Sequence, residues 1–185
     1  MLKTLSIIGG KIIDQKITWG LGGSLLLSFY NLEDNPNDID ILVEENSTYK
    51  LNQMLSTIGQ RKEAVSTDPF RTTSFSKYLI ENMDVDVMGG FAIQHHEGIY
   101  KMAFNSLSIV DSKTINGVSI PLCSLEDWYI LYWLIPNKQN KALLIEEFLK
   151  NSGVKHPQIL KQALKQPLPF EIKERVKALL KASVL

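Results

Sequence analysis

Apolar side chains recur along the chain in two different periods. Between residues 2 and 12 they return every three to four positions, which predicts an amphipathic helix despite two internal glycines. Residues 38–43 instead alternate carboxylate and aliphatic side chains, the period of a half-buried strand. The order of elements predicts an α+β fold in which helices flank a mixed sheet. It divides the chain into a core over residues 1–123 and a helical C-terminal region over residues 124–185, packed on that core.

Glycines and caps predict how the remaining elements begin. Residues 17–20 predict a strand, residues 20–23 a tight turn, and Ser24 the N-cap of a helix that reaches Tyr30. An aromatic-rich helix after Ser124 is expected to pack between the sheet and the last helices. Further strands are predicted at about 61–66, 71–80, 83–88, 99–104, 106–110 and 118–121, and further helices at about 48–58, 139–151, 157–165 and 170–183.

Composition limits the possible partners. The sequence has 185 residues, of which 44% are hydrophobic, enough for one well-buried domain. Its 20 basic and 20 acidic residues cancel, which excludes recruitment of nucleic acid or a membrane surface by bulk charge. The charges are unevenly placed, because residues 138–185 carry ten basic and four acidic side chains, and residues 1–137 carry ten and sixteen. We interpret the C-terminal excess as solvated faces of amphipathic helices and expect no nucleic-acid partner.

Cysteine usage and the length of apolar runs bear on the compartment. Cys123 is the sole cysteine, so no disulfide can form within the chain. No stretch approaches the ~20 apolar residues of a membrane-spanning helix, and the N-terminal apolar run is too short for a signal peptide. We therefore expect a cytoplasmic protein without membrane association.

Two aspartates share one face of the aspartate-rich strand. Asp38 and Asp40 are expected roughly 7 Å apart, because side chains alternate between faces and each residue rises ~3.3 Å. Two like charges require a neutralising cation, and carboxylate oxygens suit Mg²⁺. Residues 84–87 alternate Asp and Val on a second predicted strand, so either Asp84 or Asp86 could supply a third carboxylate. Three carboxylates can hold two metal ions that activate a hydroxyl and bind a triphosphate.

A glycine and serine turn at residues 22–24 precedes a predicted helix. Backbone N–H groups at a helix N-terminus attract anions, and the Ser24 hydroxyl can add a donor. Arg71 and Lys77, between the two acidic strands, are further candidates for binding a nucleotide phosphate, as is Lys141 in the C-terminal helices. For each of these cations a solvated surface position is the commoner role.

In this order and spacing, these residues resemble the motif of the nucleotidyltransferase superfamily, the fold of DNA polymerase β and of small antibiotic nucleotidyltransferases. The resemblance covers roughly residues 15–150 and is greatest to small stand-alone bacterial members. It implies a Mg²⁺-dependent enzyme that transfers an NMP group from an NTP to a small-molecule or protein hydroxyl and releases pyrophosphate. Carried over by residue, it implies metal binding and catalysis by Asp38, Asp40 and Asp86, and nucleotide binding by Gly22, Gly23 and Ser24.

Other interpretations of the same residues fit less well. Residues 34–45 space their acids like a calcium loop, but Ile39 stands where that loop requires glycine. The glycine turn lacks the last glycine of a dinucleotide-binding fingerprint, and residues 95–97 lack the second histidine of a zinc-protease helix. The main functional rival is a non-catalytic binding partner of the same fold, such as one half of a toxin–antitoxin module. A nucleotide sensor without transfer is a second rival.

Overall fold

The structure is a computed structural model that describes residues 1–182. Within these residues the chain forms seven α-helices and nine β-strands, and no helix is long and apolar enough to cross a membrane. In chain order the elements are α1 (Leu2–Ile12), β1 (Trp19–Gly22), α2 (Gly23–Ser28), β2 (Ile39–Val43), α3 (Thr48–Leu55), β3 (Gln60–Lys62), β4 (Ser74–Ile80), β5 (Met83–Gly89), β6 (Ala92–His95), β7 (Gly98–Lys101), β8 (Ile109–Ile115), β9 (Val118–Cys123), α4 (Leu125–Leu134), α5 (Gln139–Ser152), α6 (Pro157–Ala163) and α7 (Phe170–Ala182).

A seven-stranded mixed sheet forms the centre of the fold. Its strand order is β3-β4-β5-β2-β1-β9-β8. β2 runs parallel to β5 and β1 parallel to β9, whereas the other neighbouring pairs are antiparallel. β6 and β7 form a separate antiparallel pair. The predicted α+β fold with a mixed sheet is confirmed, and the two aspartate-bearing strands, β2 and β5, lie side by side in the middle of the sheet.

The sheet explains why glycine stands inside α1. At Gly9, a Cβ would come within 2.5 Å of Ile120 Cδ1 and 3.0 Å of Val118 Cγ1, both on β9. The helix therefore lies closer to the sheet than alanine would allow. Glycine costs roughly 1 kcal/mol in helix propensity. The complete burial of Leu5 and Ile8 on the same helix offsets this cost.

The predicted boundaries around the glycine turn are wrong. The strand expected at residues 17–20 begins and ends two residues later, so that Gly20 and Gly22 lie in β1 and not in a turn. Gly22 also takes the place of Ser24 as the N-cap of α2. Close packing is the reason, because a Cβ at Gly22 would overlap the indole ring of Trp128. Local turn propensity is overridden by contact with a helix about 100 residues later in the chain.

Two further differences lie in the second half of the sheet region. The short strand β6 was not predicted, and its partner β7 follows after a tight connection that contains residues 96–97. Residues 106–108 form a single helical turn before β8, where a strand was predicted. Asn105 caps this turn by accepting a hydrogen bond from Leu107 N–H, which favours the helical conformation. The last residue of the final predicted helix, at position 183, lies outside the described residues.

α4 joins the sheet to the C-terminal helices. Ser124 Oγ accepts a hydrogen bond from Asp127 N–H and donates one to Asp127 Oδ2, so Ser124 is the predicted N-cap. Every residue of α4 except Trp133 is buried. α4 packs on α5 and α6, while Trp128 lies against Gly22 of the sheet. The prediction that the aromatic helix packs between sheet and helices is therefore correct.

Asp127 is a buried carboxyl whose ionisation opposes folding. Burial raises its pKa to about 6, and hydrogen bonds from Ser124 and Ser108 offset this effect only in part. Because the pKa is higher in the folded than in the unfolded state, the stabilisation is present at low pH and is lost as the pH rises through about 6. Asp127→Asn is expected to abolish that loss. The variant should gain up to about 3 kcal/mol of unfolding free energy relative to wild type between about pH 4 and about pH 7.

Urea denaturation of both proteins across that pH range measures the difference. Any effect of the asparagine amide on the unfolding free energy that does not vary with pH leaves the result unaffected, because only the change of the difference with pH is used. A difference between variant and wild type that stays constant with pH would contradict this account of Asp127.

Candidate functional site

Three carboxylates meet at the centre of the sheet. Asp40 on β2 is the register partner of Asp86 on β5, so the two side chains lie next to each other on one face. Asp38 immediately precedes β2, one residue before the strand begins. One oxygen from each of these aspartates lies within 4.8 Å of the others. The structure thus brings together the three carboxylates that the sequence singled out.

Asp84 has a different environment from Asp86, although both lie on β5. It is opposite Leu79 of β4 and forms an ion pair with Lys62. Its side chain is exposed, and its pKa is lowered mainly by the hydrogen bond from Lys62. Strand register therefore places Asp86, and not Asp84, beside Asp40.

The glycines at the end of β1 allow the backbone to approach the carboxylates. Gly22 is the register partner of Asp40, and Gly23 follows with a φ of +63°, a conformation that costs a residue with a side chain about 1 kcal/mol or more. A Cβ at Gly23 would overlap Asp40 Oδ2. The turn therefore requires glycine for both its conformation and its contact with Asp40.

Lys141 of α5 links the C-terminal region to this turn. Its Nζ donates a 2.6 Å hydrogen bond to Ser24 Oγ, 117 residues earlier, and forms a 2.7 Å ion pair with Glu33 Oε2. The ammonium also lies 5.9 Å from the ring centroid of Tyr132, and only 13% of the side chain is exposed. The sequence offered Lys141 as one candidate among several cations. It gave no signal for Glu33, because no local pattern connects these residues.

The two cations predicted between the acidic strands have different roles in the structure. Lys77 on β4 is the register partner of Asp86, and its Nζ lies 3.3 Å from Asp86 Oδ2. Arg71 forms an ion pair with Asp68 and donates a hydrogen bond to the carbonyl of Phe70. Lys77 is thus placed beside Asp86 and Arg71 is not, and neither side chain lines the cleft that the carboxylates open into.

The carboxylates are held where negative charge is unfavourable. Burial, with added repulsion from Asp38 and Asp86, raises the pKa of Asp40 to about 8. Burial also raises the pKa of Asp86, and Lys77 offsets this shift in part. Asp86 Oδ1 is buried without a hydrogen-bond partner. A cation bound between the three carboxylates would remove the repulsion and satisfy this oxygen, so the residues fit a hard divalent metal such as Mg²⁺.

The carboxylates open into a cleft of about 390 Å³. Its walls come from the start of α2, the strands β2, β4 and β5, the helices α4 and α5, and the loop between β3 and β4. The side chains that line it are Ser24, Asn37, Asp38, Asp40, Val65, Ser66, Thr67, Phe70, Thr72, Phe75, Asp86, Met88, Phe91, Trp128, Tyr132, Ile135, Lys138 and Lys141. The loop residues and Lys138 were not singled out as site residues from the sequence, since only the folded sheet brings them to the carboxylates.

Solved structures of nucleotidyltransferases share this fold. The chain is 23% identical to a candidate nucleotidyltransferase from Thermotoga maritima, with a TM-score of 0.59 over 81% of this chain and 92% of that one. It is 13% identical to ANT(2")-Ia in complex with adenylyl-2"-tobramycin, with a TM-score of 0.56 over 99% and 96% of the two chains. It is 20% identical to the lincosamide antibiotic adenylyltransferase LnuA with bound lincomycin, with a TM-score of 0.51 over 78% and 95%.

These similarities establish the nucleotidyltransferase fold. No protein-family model matches the chain, and no curated protein matches it in sequence. Because a fold can host several functions, the chemistry of this protein has to be argued from its own cleft.

Proposed function

We propose that the protein is a nucleotidyltransferase that transfers an NMP group from an NTP to a hydroxyl acceptor and releases pyrophosphate. The observation that carries this proposal is the convergence of Asp38, Asp40 and Asp86 within 4.8 Å in a cleft that also contains Lys141. Carboxylates beside cations suit a substrate that arrives as a metal-bound polyphosphate. The shared fold adds support, since it is the fold of two antibiotic adenylyltransferases.

The three aspartates are the proposed Mg²⁺ ligands. The raised pKa of Asp40 and the unpartnered Asp86 Oδ1 support this assignment, because both are relieved by a bound cation. When bound, Mg²⁺ would neutralise the triphosphate and favour ionisation of the attacking hydroxyl. Asp86 is the proposed base, and one of its carboxylate oxygens would take the proton of that hydroxyl.

The wall formed by α2 and the start of α5 is the proposed site for the leaving pyrophosphate. Ser24, Lys138 and Lys141 line this wall, and Gly22 and Gly23 let the backbone approach the carboxylates. In the transfer, the acceptor oxygen bonds to the α-phosphorus as the bond from the α-phosphorus to the β-phosphate oxygen breaks. Lys141 and Lys138 would stabilise the charge that develops on the departing pyrophosphate.

The domain division and the compartment are also part of the proposal. Residues 1–123 would supply the metal site, and residues 124–185 would supply the phosphate-binding lysines from α5. The donor NTP and Mg²⁺ are solutes of the cytoplasm, where we place the reaction. A small molecule is the favoured acceptor class, as it is in the similar structures whose names include tobramycin and lincomycin.

Labelled nucleotides test the proposed reaction directly. The protein is incubated with Mg²⁺ and each NTP labelled either at the α- or at the γ-phosphorus, alone and with a metabolite extract. We expect α-label in a new product and γ-label in pyrophosphate, because the bond between the α- and β-phosphates breaks. Transfer of γ-label to an acceptor would identify a kinase instead. Binding of NTP without any transfer would favour the nucleotide sensor, and failure to bind NTP would favour the non-catalytic partner protein.

Lys141→Gln is expected to weaken binding of the Mg²⁺–NTP complex by about tenfold to a hundredfold. The substitution removes a charge-assisted contact that is typically worth about 1.5–3 kcal/mol. Lys177→Gln provides a matched control, since Lys177 pairs with Glu174 on the exposed face of α7 and does not line the cleft. Isothermal titration with a non-hydrolysable NTP measures both affinities. Equal affinities for the two variants would contradict the assignment of Lys141 to the phosphates.

A further inference from the structure

The two flanks of the cleft differ in chemistry. On the side of α2 and α5, Ser24, Lys138 and Lys141 present a hydroxyl and two ammonium groups. Beyond Asp86, on the side of β4, the floor is apolar. Phe75 of β4 and Met88 of β5 are register partners, and Met88 lies on the same face as Asp86, two residues further along the strand.

The apolar flank continues into the loop between β3 and β4. The rings of Phe70 and Phe91 pack edge to face with centroids 6.0 Å apart, and both line the cleft. Val65 lines the same flank, and 79% of its surface is exposed. Ser66, Thr67 and Thr72 add hydroxyl groups between the apolar side chains of this flank.

One charged side chain besides the three aspartates approaches this flank: Lys77 Nζ lies 5.8 Å from the centroid of the Phe75 ring and 3.3 Å from Asp86 Oδ2. Among the described residues, the charged groups that line the cleft are the three aspartates, Lys138 and Lys141. In the loop between β3 and β4, Asp68 and Arg71 pair with each other and Glu63 is exposed, and none of the three lines the cleft. A cationic acceptor would therefore find carboxylates only in the metal site, which the proposed reaction already occupies with Mg²⁺.

The direction of transfer decides which flank meets the acceptor. In an in-line displacement the attacking oxygen and the leaving pyrophosphate lie on opposite sides of the phosphorus. With pyrophosphate held at Ser24 and Lys141, the attacking hydroxyl must enter from the side of Asp86. That side is the flank lined by Phe75, Met88 and Phe91.

We propose that the acceptor is an uncharged hydroxyl compound with an apolar body, and not a polycation such as an aminoglycoside. The inference rests on the proposed function and adds the chemical class of the second substrate. The apolar body of the acceptor packs on the apolar flank, and the hydroxyls of Ser66, Thr67 and Thr72 bind the polar groups of the acceptor. A polycation is disfavoured because its ammonium groups would lose hydration without gaining a carboxylate partner.

Three probes of known chemistry test the acceptor class. Glucose is neutral and polar, hexyl glucoside adds an apolar chain to the same sugar, and tobramycin is a polycationic amino sugar. Each is titrated at near-physiological salt into wild-type protein that holds Mg²⁺ and a non-hydrolysable NTP. We expect hexyl glucoside to bind at least about tenfold more tightly than glucose, because the chain buries apolar surface. We expect tobramycin to bind more weakly than hexyl glucoside.

Two variants and one control variant test whether the apolar flank causes the preference for hexyl glucoside. Phe75→Ala should lower the affinity for hexyl glucoside about tenfold, while Phe170→Ala, an exposed phenylalanine on α7, should leave it unchanged. Thr67→Glu adds a carboxylate at an exposed loop position, and it should shift the preference toward tobramycin.

Failure of the proposed function and failure of the proposed acceptor class give different results. Nucleotide binding is measured first in each sample, and its failure counts against the proposed function. Where nucleotide binds, the acceptor class is overturned if tobramycin binds as tightly as hexyl glucoside, or if hexyl glucoside binds no more tightly than glucose.

Discussion

Asp40→Asn is expected to abolish both the Mg²⁺-dependent binding of NTP and nucleotidyl transfer. Asp40 is the central member of the carboxylate cluster, beside Asp86 in the sheet and close to Asp38. Asparagine keeps the shape of the side chain but loses the charge that a divalent cation needs. We expect the transfer rate to fall by at least about a thousandfold, since the substitution removes charge stabilisation at the reacting group.

Thermal unfolding gives a second measure that does not depend on the acceptor. With NTP at about one hundred times its dissociation constant, ligand binding should stabilise the wild type by about 2.7 kcal/mol, or about 5–10 °C in Tm. Asp40→Asn should show no such shift. Without ligand its Tm should equal or exceed that of the wild type, because the substitution removes an unfavourable buried charge.

Asp84→Asn is the matched control for this experiment. It makes the same chemical change on the neighbouring strand, at an exposed residue outside the cluster. We expect this variant to retain the full shift with Mg²⁺ and NTP. A shift that persists in Asp40→Asn, or in wild type with EDTA, would mean that the nucleotide binds elsewhere.

Gly23→Ala is expected to reduce the affinity for the Mg²⁺–NTP complex by more than about a hundredfold. The added Cβ overlaps Asp40 Oδ2, so the carboxylate has to leave its position in the cluster. The loss of one well-placed charged ligand is typically worth about 3 kcal/mol, which corresponds to this factor. Alanine at a φ of +63° should also lower the unfolding free energy by about 1–2 kcal/mol.

Gly117→Ala separates the two effects of that substitution. Gly117 has a φ of +79°, and no atom lies within 4 Å of the position that its Cβ would occupy. This control should therefore lose a similar amount of unfolding free energy while it retains full nucleotide affinity. Equal loss of nucleotide affinity in both variants, after correction for the folded fraction, would contradict a specific role for the contact between Gly23 and Asp40.

The sequence by itself determined the parts of the site that depend on neighbouring residues. Alternation of carboxylate and aliphatic side chains around Asp40 and Asp86 indicated strands with one buried face, and both aspartates do lie on strands. The interleaved pattern of strands and helices likewise predicted the α+β fold. These features are local in the chain, so the side-chain period is sufficient to reveal them.

Strand register is a property that the tertiary structure alone decided. Asp84 and Asp86 occupy the same face of one strand, and nothing in their local sequence distinguishes them. The parallel pairing of β2 with β5 places Asp86 beside Asp40 and leaves Asp84 to pair with Lys62. A different long-range contact, between Gly22 and Trp128 of α4, placed the glycines of β1 in the strand and not in the predicted turn.

The walls of the cleft depend on contacts between distant parts of the chain. Lys141 and Ser24, which are hydrogen-bonded, are 117 residues apart in the chain, and Lys141 also forms an ion pair with Glu33. Phe75 and Met88 become neighbours through the antiparallel pairing of β4 with β5. Periodicity reports which face of an element is buried, but it carries no information on which other element covers that face. The carboxylates and the candidate cations Lys77 and Lys141 were therefore identifiable from the sequence, whereas the groups that each cation contacts, and the apolar flank, required the folded chain.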